Sequence, residues 1–288
     1  MNRLAFELRL WPVLRWALIV FLIVITVFPF YYMVMLSFVP IEQLLTHPGR
    51  LWVPVQSFTA DTYAEVLRSE DDGGQGFAHF MRNSAIVSLS CTVLTLVAVI
   101  PAAYAVSRLR FRGRDTIGAM FLAVYMFPAI VIAIPLFVGF TKVGLGASLV
   151  GLVLVYIALT LPVSVHMLRS YFETIPESID EAAKIDGASR WMILRRITVP
   201  LAMPTIMSTA LYIFMIAWNE LLFALLFLVT DRDSWTVSLG LTQLANGIEV
   251  SKTVLMAGSV LLTVPVVLLY GLAERALTEG LTAGADKG

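Results

Sequence analysis

Charge is what this sequence has least of. Only 14% of its 288 residues are charged and 59% are hydrophobic, with a mean hydropathy of +0.85, whereas soluble domains carry about 25% charged residues. That deficit excludes an ordinary water-soluble domain and places the chain in a bilayer. The 20 basic and 20 acidic residues cancel and no run of like sign occurs, so nothing points to nucleic acid. A single cysteine, Cys91, excludes an intramolecular disulfide and leaves no second thiol for a metal site. It sits in an apolar stretch and reads as a packing residue. His47 and His79 lack metal-ligand spacing, so no metal is expected. No G-x-x-x-x-G-K-[S/T] phosphate loop occurs; Lys252 and Thr253 stand together without its glycines. The chain therefore does not energise any process by itself. Clustered nucleophile partners are also missing, which argues against a membrane-embedded enzyme. A secondary transporter without an ATPase would show two similar halves with paired intramembrane charges, and no such internal similarity is seen.

What is present is a series of long apolar runs. Stretches free of charge cover 16–41, 83–107, 116–141, 143–168, 197–219 and 253–273, each long enough for a span of roughly 20 residues. The expectation is an all-α membrane protein of six transmembrane helices forming one permease domain over 1–288, with the fifth span drawn as 200–229. The first run is too long for a signal-peptide core and no small-residue cleavage site closes it. Lys142, Gly144 and Gly146 separate the third and fourth spans, predicting a tight hairpin. With the N-terminus inside, fourteen of the basic residues fall in inner segments and six (Arg50, Arg68, Arg82, Lys142, Arg232 and Lys252) in outer ones. The positive-inside rule then puts both termini in the cytoplasm. Every span carries a proline in it or at its edge, a pattern suited to a transporter whose kinked helices line a cavity.

The inner segment 169–199 has the richest chemistry. After Pro176, suited to a first helical turn, Glu177, Asp180 and Glu181 favour a helix N-terminus, and Asp180 is placed to pair with Lys184 at i, i+4. Ile179, Ala182 and Ala183 are expected to share a small, flat face open to another protein. Gly187 stands where a helix ends in a left-handed residue. A second helix then carries Trp191, Met192 and Leu194 with Arg190, Arg195 and Arg196 as far as Pro200. The expected unit is helix, turn and helix across the membrane base.

This segment resembles the signature of the ABC-importer permeases, E-A-A, three residues, G, nine residues, I-x-L-P. Glu181, Ala182, Ala183, Gly187, Ile197 and Pro200 match it, and Val199 replaces the usual leucine. The resemblance extends over almost the whole chain. Asn83 and Ser84 open the second span; Ala103, Tyr104, Ala105, Arg108 and Phe111 resemble an A-Y-A-x-x-R-x-x-F ending. Phe127 with Pro128, the Trp218, Asn219, Glu220 element and the tail GLTAGADKG are similar to the carbohydrate-uptake branch, and Asp286 departs from it.

The resemblance implies a type I importer permease of the bacterial cytoplasmic (inner) membrane, paired with a homologous second permease. Two ATP-binding subunits would grip the coupling loops, with Glu181, Ala182, Ala183, Ile185, Asp186, Gly187 and Ala188 as the coupling residues. ATP and magnesium would be held by those subunits, leaving this chain without a cofactor and without enzymatic activity. An extracytoplasmic solute-binding protein would deliver a sugar or oligosaccharide. The stretch from Asp231 to Lys252 resembles the loop that reaches into that protein, with Trp235, Gln243 and Asn246 as candidates. A non-sugar solute such as a glycerol phosphate is the alternative cargo.

Along the substrate path the candidates are Asn219, Glu220, Trp218 and Tyr125. An ionisable side chain in an apolar run is costly and usually functional, so Glu220 reads either as lining the path or as a strut between helices. Asn219 has both donor and acceptor for sugar hydroxyls, and equally for a neighbouring helix. Tyr125, Tyr156 and Trp218 read either as rings that stack on a pyranose or as packing.

Overall fold

The computed structural model describes residues 3–47, 49–247 and 250–285, and every regular element among them is helical. They fall into two compact units, Met1–Phe77 with Gln243–Leu261, and Ala78–Thr242 with Leu262–Gly288.

In the first unit, α1 (Arg3–Ser37) is a long helix whose side chains from Trp11 to Phe30 face outward, as a lipid-facing helix requires. It ends before the expected boundary at residue 41, because Pro40 cannot continue the helical bonds. Ser37 Oγ donates to the Val34 carbonyl at 2.6 Å and lies 2.8 Å from the Tyr63 hydroxyl, while Phe38 stacks on Phe58. The polar stretch that follows folds into α2 (Ile41–Thr46) and α3 (Asp61–Leu67), with two single 3-10 turns.

The second unit contains α4 (Phe77–Arg108) from Ala78 onward, α5 (Arg114–Tyr125), α6 (Ala129–Lys142), α7 (Leu149–Phe172), α8 (Glu177–Ile185) and α9 (Arg190–Ile193). A π-helical turn, Leu194–Thr198, leads to α10 (Val199–Leu201), α11 (Met203–Asn219) and α12 (Leu222–Leu228). The units share α13 (Val237–Asn246) and α14 (Lys252–Ala285). Of the tail, residues up to Ala285 continue α14, and 286–288 lie outside the described residues. A core of Val99, Ala103 and Tyr104 from α4, Val165, Leu168 and Phe172 from α7, and Leu194, Ala202 and Ile206 holds the base of this unit together.

Among the described residues four helices are individually long and apolar enough to cross a membrane: Trp11–Ser37, Phe77–Arg108, Leu149–Phe172 and Lys252–Glu274. The other two expected spans differ from expectation. The third, 116–141, is broken: Thr116–Tyr125 and Ala129–Lys142 meet at 95°. Pro128 biases Phe127 out of the helical region and supplies no N–H, so the turn opens there. The fifth, 200–229, is bounded differently at both ends. Arg190–Leu201 meets Met203–Asn219 at 80°, since Pro204 has no N–H for the Pro200 carbonyl and its ring crowds that group. The helix stops again at Glu220 (ψ 131°) before α12 begins. The fourth span starts later than expected, at Leu149, after Gly144 (φ 76°) turns the chain and Ser148 caps α7 by accepting from the Val150 N–H at 3.2 Å.

Candidate functional site

The helix, turn and helix expected after residue 176 are present. Gly187 takes φ +81°, its N–H donates to the Lys184 carbonyl at 3.0 Å, and the Ala188 N–H donates to the Ala183 carbonyl at 2.9 Å. This pair of bonds closes the end of α8 in a Schellman motif, which needs a left-handed residue and so favours glycine. A Cβ there would meet nothing within 4 Å, so the demand is conformational. The next helix starts immediately: Ser189 accepts from the Met192 N–H at 3.3 Å and caps α9.

Burial sorts the faces of α8 differently from the expectation. Asp180 and Ala183 are buried and Ile179 is half-buried against the core, so Ala183 is not available to a partner. Glu181, Ala182, Ile185 and Asp186 are the exposed set together with Gly187, and Ala188 is half-buried. Ile185 is 87% exposed, an apolar knob at the tip of a polar turn. Trp191 and Met192 are exposed on the following helix, with Ile193 and Leu194 turned inward.

Asp180 does not pair with Lys184. Its Oδ2 lies 3.6 Å from Nε of Arg108, the last residue of α4, and the two side chains are 7% and 6% exposed. Arg108 also donates from Nη2 to the Ile175 carbonyl at 2.5 Å. Asp180 is buried and Lys184 exposed, and a buried carboxylate left without an opposite charge is costly, which favours the buried Arg108 as its partner. A polar cavity of about 340 Å³ adjoins the pair, lined by Arg110, Arg114, Glu177, Glu181, Lys184 and Arg190 among others. Glu173, which ends α7, accepts from Arg169 Nε at 2.8 Å and lies 3.5 Å from Arg114 Nη2.

A second constellation surrounds the break at Glu220. Its carboxylate accepts from the N–H of Phe223 at 3.0 and 3.1 Å and of Ala224 at 3.2 Å, and from the Tyr156 hydroxyl at 2.7 Å. Its own carbonyl accepts from Ser238 Oγ at 2.7 Å. The negative charge therefore sits on the N-terminal end of α12, where the exposed N–H groups and the helix dipole compensate it. These bonds tie the carboxylate to α7 and to the start of α12. Trp218 is also inward: it is 3% exposed, donates from Nε1 to the Leu262 carbonyl at 3.0 Å and stacks on Phe214. Tyr156 is fully buried. Asn219 is exposed and donates to the Met215 carbonyl at 2.9 Å, and Tyr125 is exposed at the end of α5.

Trp235, expected on an open loop, is 7% exposed. Asn83 Nδ2 donates to the carbonyls of Asp233 and Trp235 at 2.7 and 3.0 Å, Ser84 Oγ accepts from the Val237 N–H at 2.8 Å, and the Arg232 guanidinium lies 4.9 Å from the indole. The Asn83 and Ser84 pair thus anchors the loop onto α4. Gln243 is half-buried and Asn246 exposed at the end of α13.

Residues 95–281 match the family described as binding-protein-dependent transport system inner membrane component. The chain belongs to that family. The inner membrane ABC transporter permease protein YcjP of Escherichia coli K12 is 41% identical over 267 residues, covering 92% of this chain and 93% of that protein. The trehalose/maltose transport system permease protein MalG of Thermococcus litoralis is 40% identical over 267 residues, with the same coverage of 92% and 93%. In fold, the permease superposes on a chain of a bacterial ABC transporter involved in import of the acidic polysaccharide alginate. That match has a TM-score of 0.81 at 23% identity, covering 96% of the permease and 98% of that chain.

Proposed function

We propose that this permease is one of two membrane subunits of an ATP-driven, binding-protein-dependent carbohydrate importer, and that α8 with its Gly187 turn docks on an ATP-binding subunit. The observation that carries this reading is the exposed edge of Glu181, Ala182, Ile185, Asp186 and Gly187 on a helix whose opposite face is fixed in the core. An exposed isoleucine beside small residues is what a cleft in another protein accepts, and its exposure has no use within the chain. Counting each bent helix pair as one span gives six, and with the basic residues weighted inward both termini and α8 lie in the cytoplasm. ATP and magnesium belong to the partner subunits, and this chain performs no chemistry. ATP binding shifts the permease pair between inward- and outward-open forms because the two forms bind nucleotide and cargo unequally.

Carbohydrate as the cargo class is supported by relatives named for trehalose, maltose and alginate. Of the path candidates Asn219 and Tyr125 are exposed, and of the binding-protein loop candidates Gln243 is half-buried and Asn246 exposed. The test is to purify the complex from membranes in mild detergent and identify what co-purifies. Carbohydrates are then screened for raising the melting temperature of the associated binding protein. Recovery of a second permease, an ATPase and a binding protein stabilised by a sugar is expected; a chain recovered without an ATPase sinks the reading.

A further inference from the structure

The chain joins α8 directly to α7 through residues 173–176 and to α9 through 186–189, so motion imposed on α8 reaches those helices by covalent connection. An ion pair also ties it to α4. We propose that Arg108 and Asp180 form a buried strut that passes movement of α8 to α4, as a pair of positioning residues for the transport cycle; this rests on the docking role proposed above.

The geometry gives three reasons. Arg108 is the final residue of α4; its guanidinium donates to the Ile175 carbonyl at 2.5 Å, just before α8, and makes an ion-pair contact without a hydrogen bond to Asp180 Oδ2 at 3.6 Å, in the first half of the helix. One contact fixes a position, whereas two contacts five residues apart fix the direction of α8 relative to the end of α4. Burial makes the tie stiff. With side chains 6% and 7% exposed, the attraction is little screened by salt, and separating the charges would strand each in a low-dielectric site. Arg108 and Asp180 line the polar cavity along with Glu177, Glu181 and Lys184. Those three are exposed while the pair stays 6% and 7% exposed, so water weakens ion pairs of the first three more. Val99 and Ala103 of α4 share a core with Phe172, Ile175 and half-buried Ile179, an apolar contact without direction of its own whose orientation the charged pair sets.

The test places a bimane label on Cys substituted for exposed Phe111, just beyond α4, or for exposed Ser170 on α7, in a Cys91→Ala chain within the assembled transporter. The label's emission is read before and after adding ATP with vanadate. Both reporters are expected to shift in the unsubstituted chain. In Asp180→Asn the Phe111 shift should fall to less than about a third while the Ser170 shift and bound ATPase are retained. Arg108→Lys keeps the charge but cannot hold both contacts, and should lower the Phe111 shift by about half. Retention of the Phe111 shift in either variant overturns the strut, as does equal loss at both reporters. No ATP response at Phe111 in the unsubstituted complex overturns it too. Failure of Arg108→Lys to assemble would assign the pair to folding alone and also overturn the proposal. If the unsubstituted chain binds no ATPase, the docking reading fails instead.

Discussion

The Tyr156 hydroxyl donates to the Glu220 carboxylate at 2.7 Å, joining the middle of α7 to the point where α11 ends and α12 begins. The same carboxylate caps α12, so one acidic side chain fixes both a helix break and a helix contact. Removing the hydroxyl leaves two N–H donors on the carboxylate, while Glu220→Gln loses the charge that the start of α12 compensates and keeps one acceptor oxygen for the same N–H groups. Tyr156→Phe is expected to cost about 1–3 kcal/mol and Glu220→Gln at least as much. Both should lower the melting temperature of the purified complex. A change in sugar preference with unchanged melting temperature would return Glu220 to the substrate path.

Asn83 makes a second tie of this kind, across 150 residues to the Asp233 carbonyl. Asn83→Ala deletes both of its bonds to the 231–236 loop and should cost about 1–3 kcal/mol of local stability. Amide hydrogen exchange across that loop should then accelerate by about tenfold or more. Exchange unchanged from the unsubstituted chain would show that Arg232 and the packing of Trp235 suffice.

Topology is tested at Ile185 in the permease expressed without the ATP-binding subunit that the docking reading seats on it, so that its exposure leaves a cysteine there reactive. In a Cys91→Ala background, Ile185→Cys should react with a membrane-impermeant maleimide from the cytoplasmic side only. Native Cys91, fully buried within α4, should not react. Labelling of Ile185→Cys in intact cells would invert the orientation.

How much of this was readable in advance depends on whether the determining interaction is local. The boundaries of α8 were legible because Pro176 and Gly187 act on their own backbone, and a Schellman end needs nothing from elsewhere in the chain. The breaks near Pro128 and Ala202 were half legible. The prolines were visible, but a kink and a bend of 95° or 80° leave the same mark on a sequence. The break at Glu220 was not legible, since neither Pro nor Gly marks it and the capping bonds depend on a carboxylate folding forward onto the next helix. Long-range partners were the main loss. Spacing favoured Lys184 for Asp180, yet Arg108, remote in sequence, wins through burial. Trp235 looked like an open loop residue until Asn83 and Arg232 folded it inward. In each case the sequence drew notice to the residue, and its partner came from the tertiary fold.

The central claim is that the exposed edge of α8 holds the ATPase, and it is tested most directly by co-purification. Ile185→Glu and Ala182→Arg alter two exposed positions of the docking helix, so the folding cost should stay within about 0.5 kcal/mol. The permease should reach the membrane at normal levels and keep its partner permease, while the ATP-binding subunit is lost from the purified complex. Full recovery of the ATPase with both variants would contradict the account.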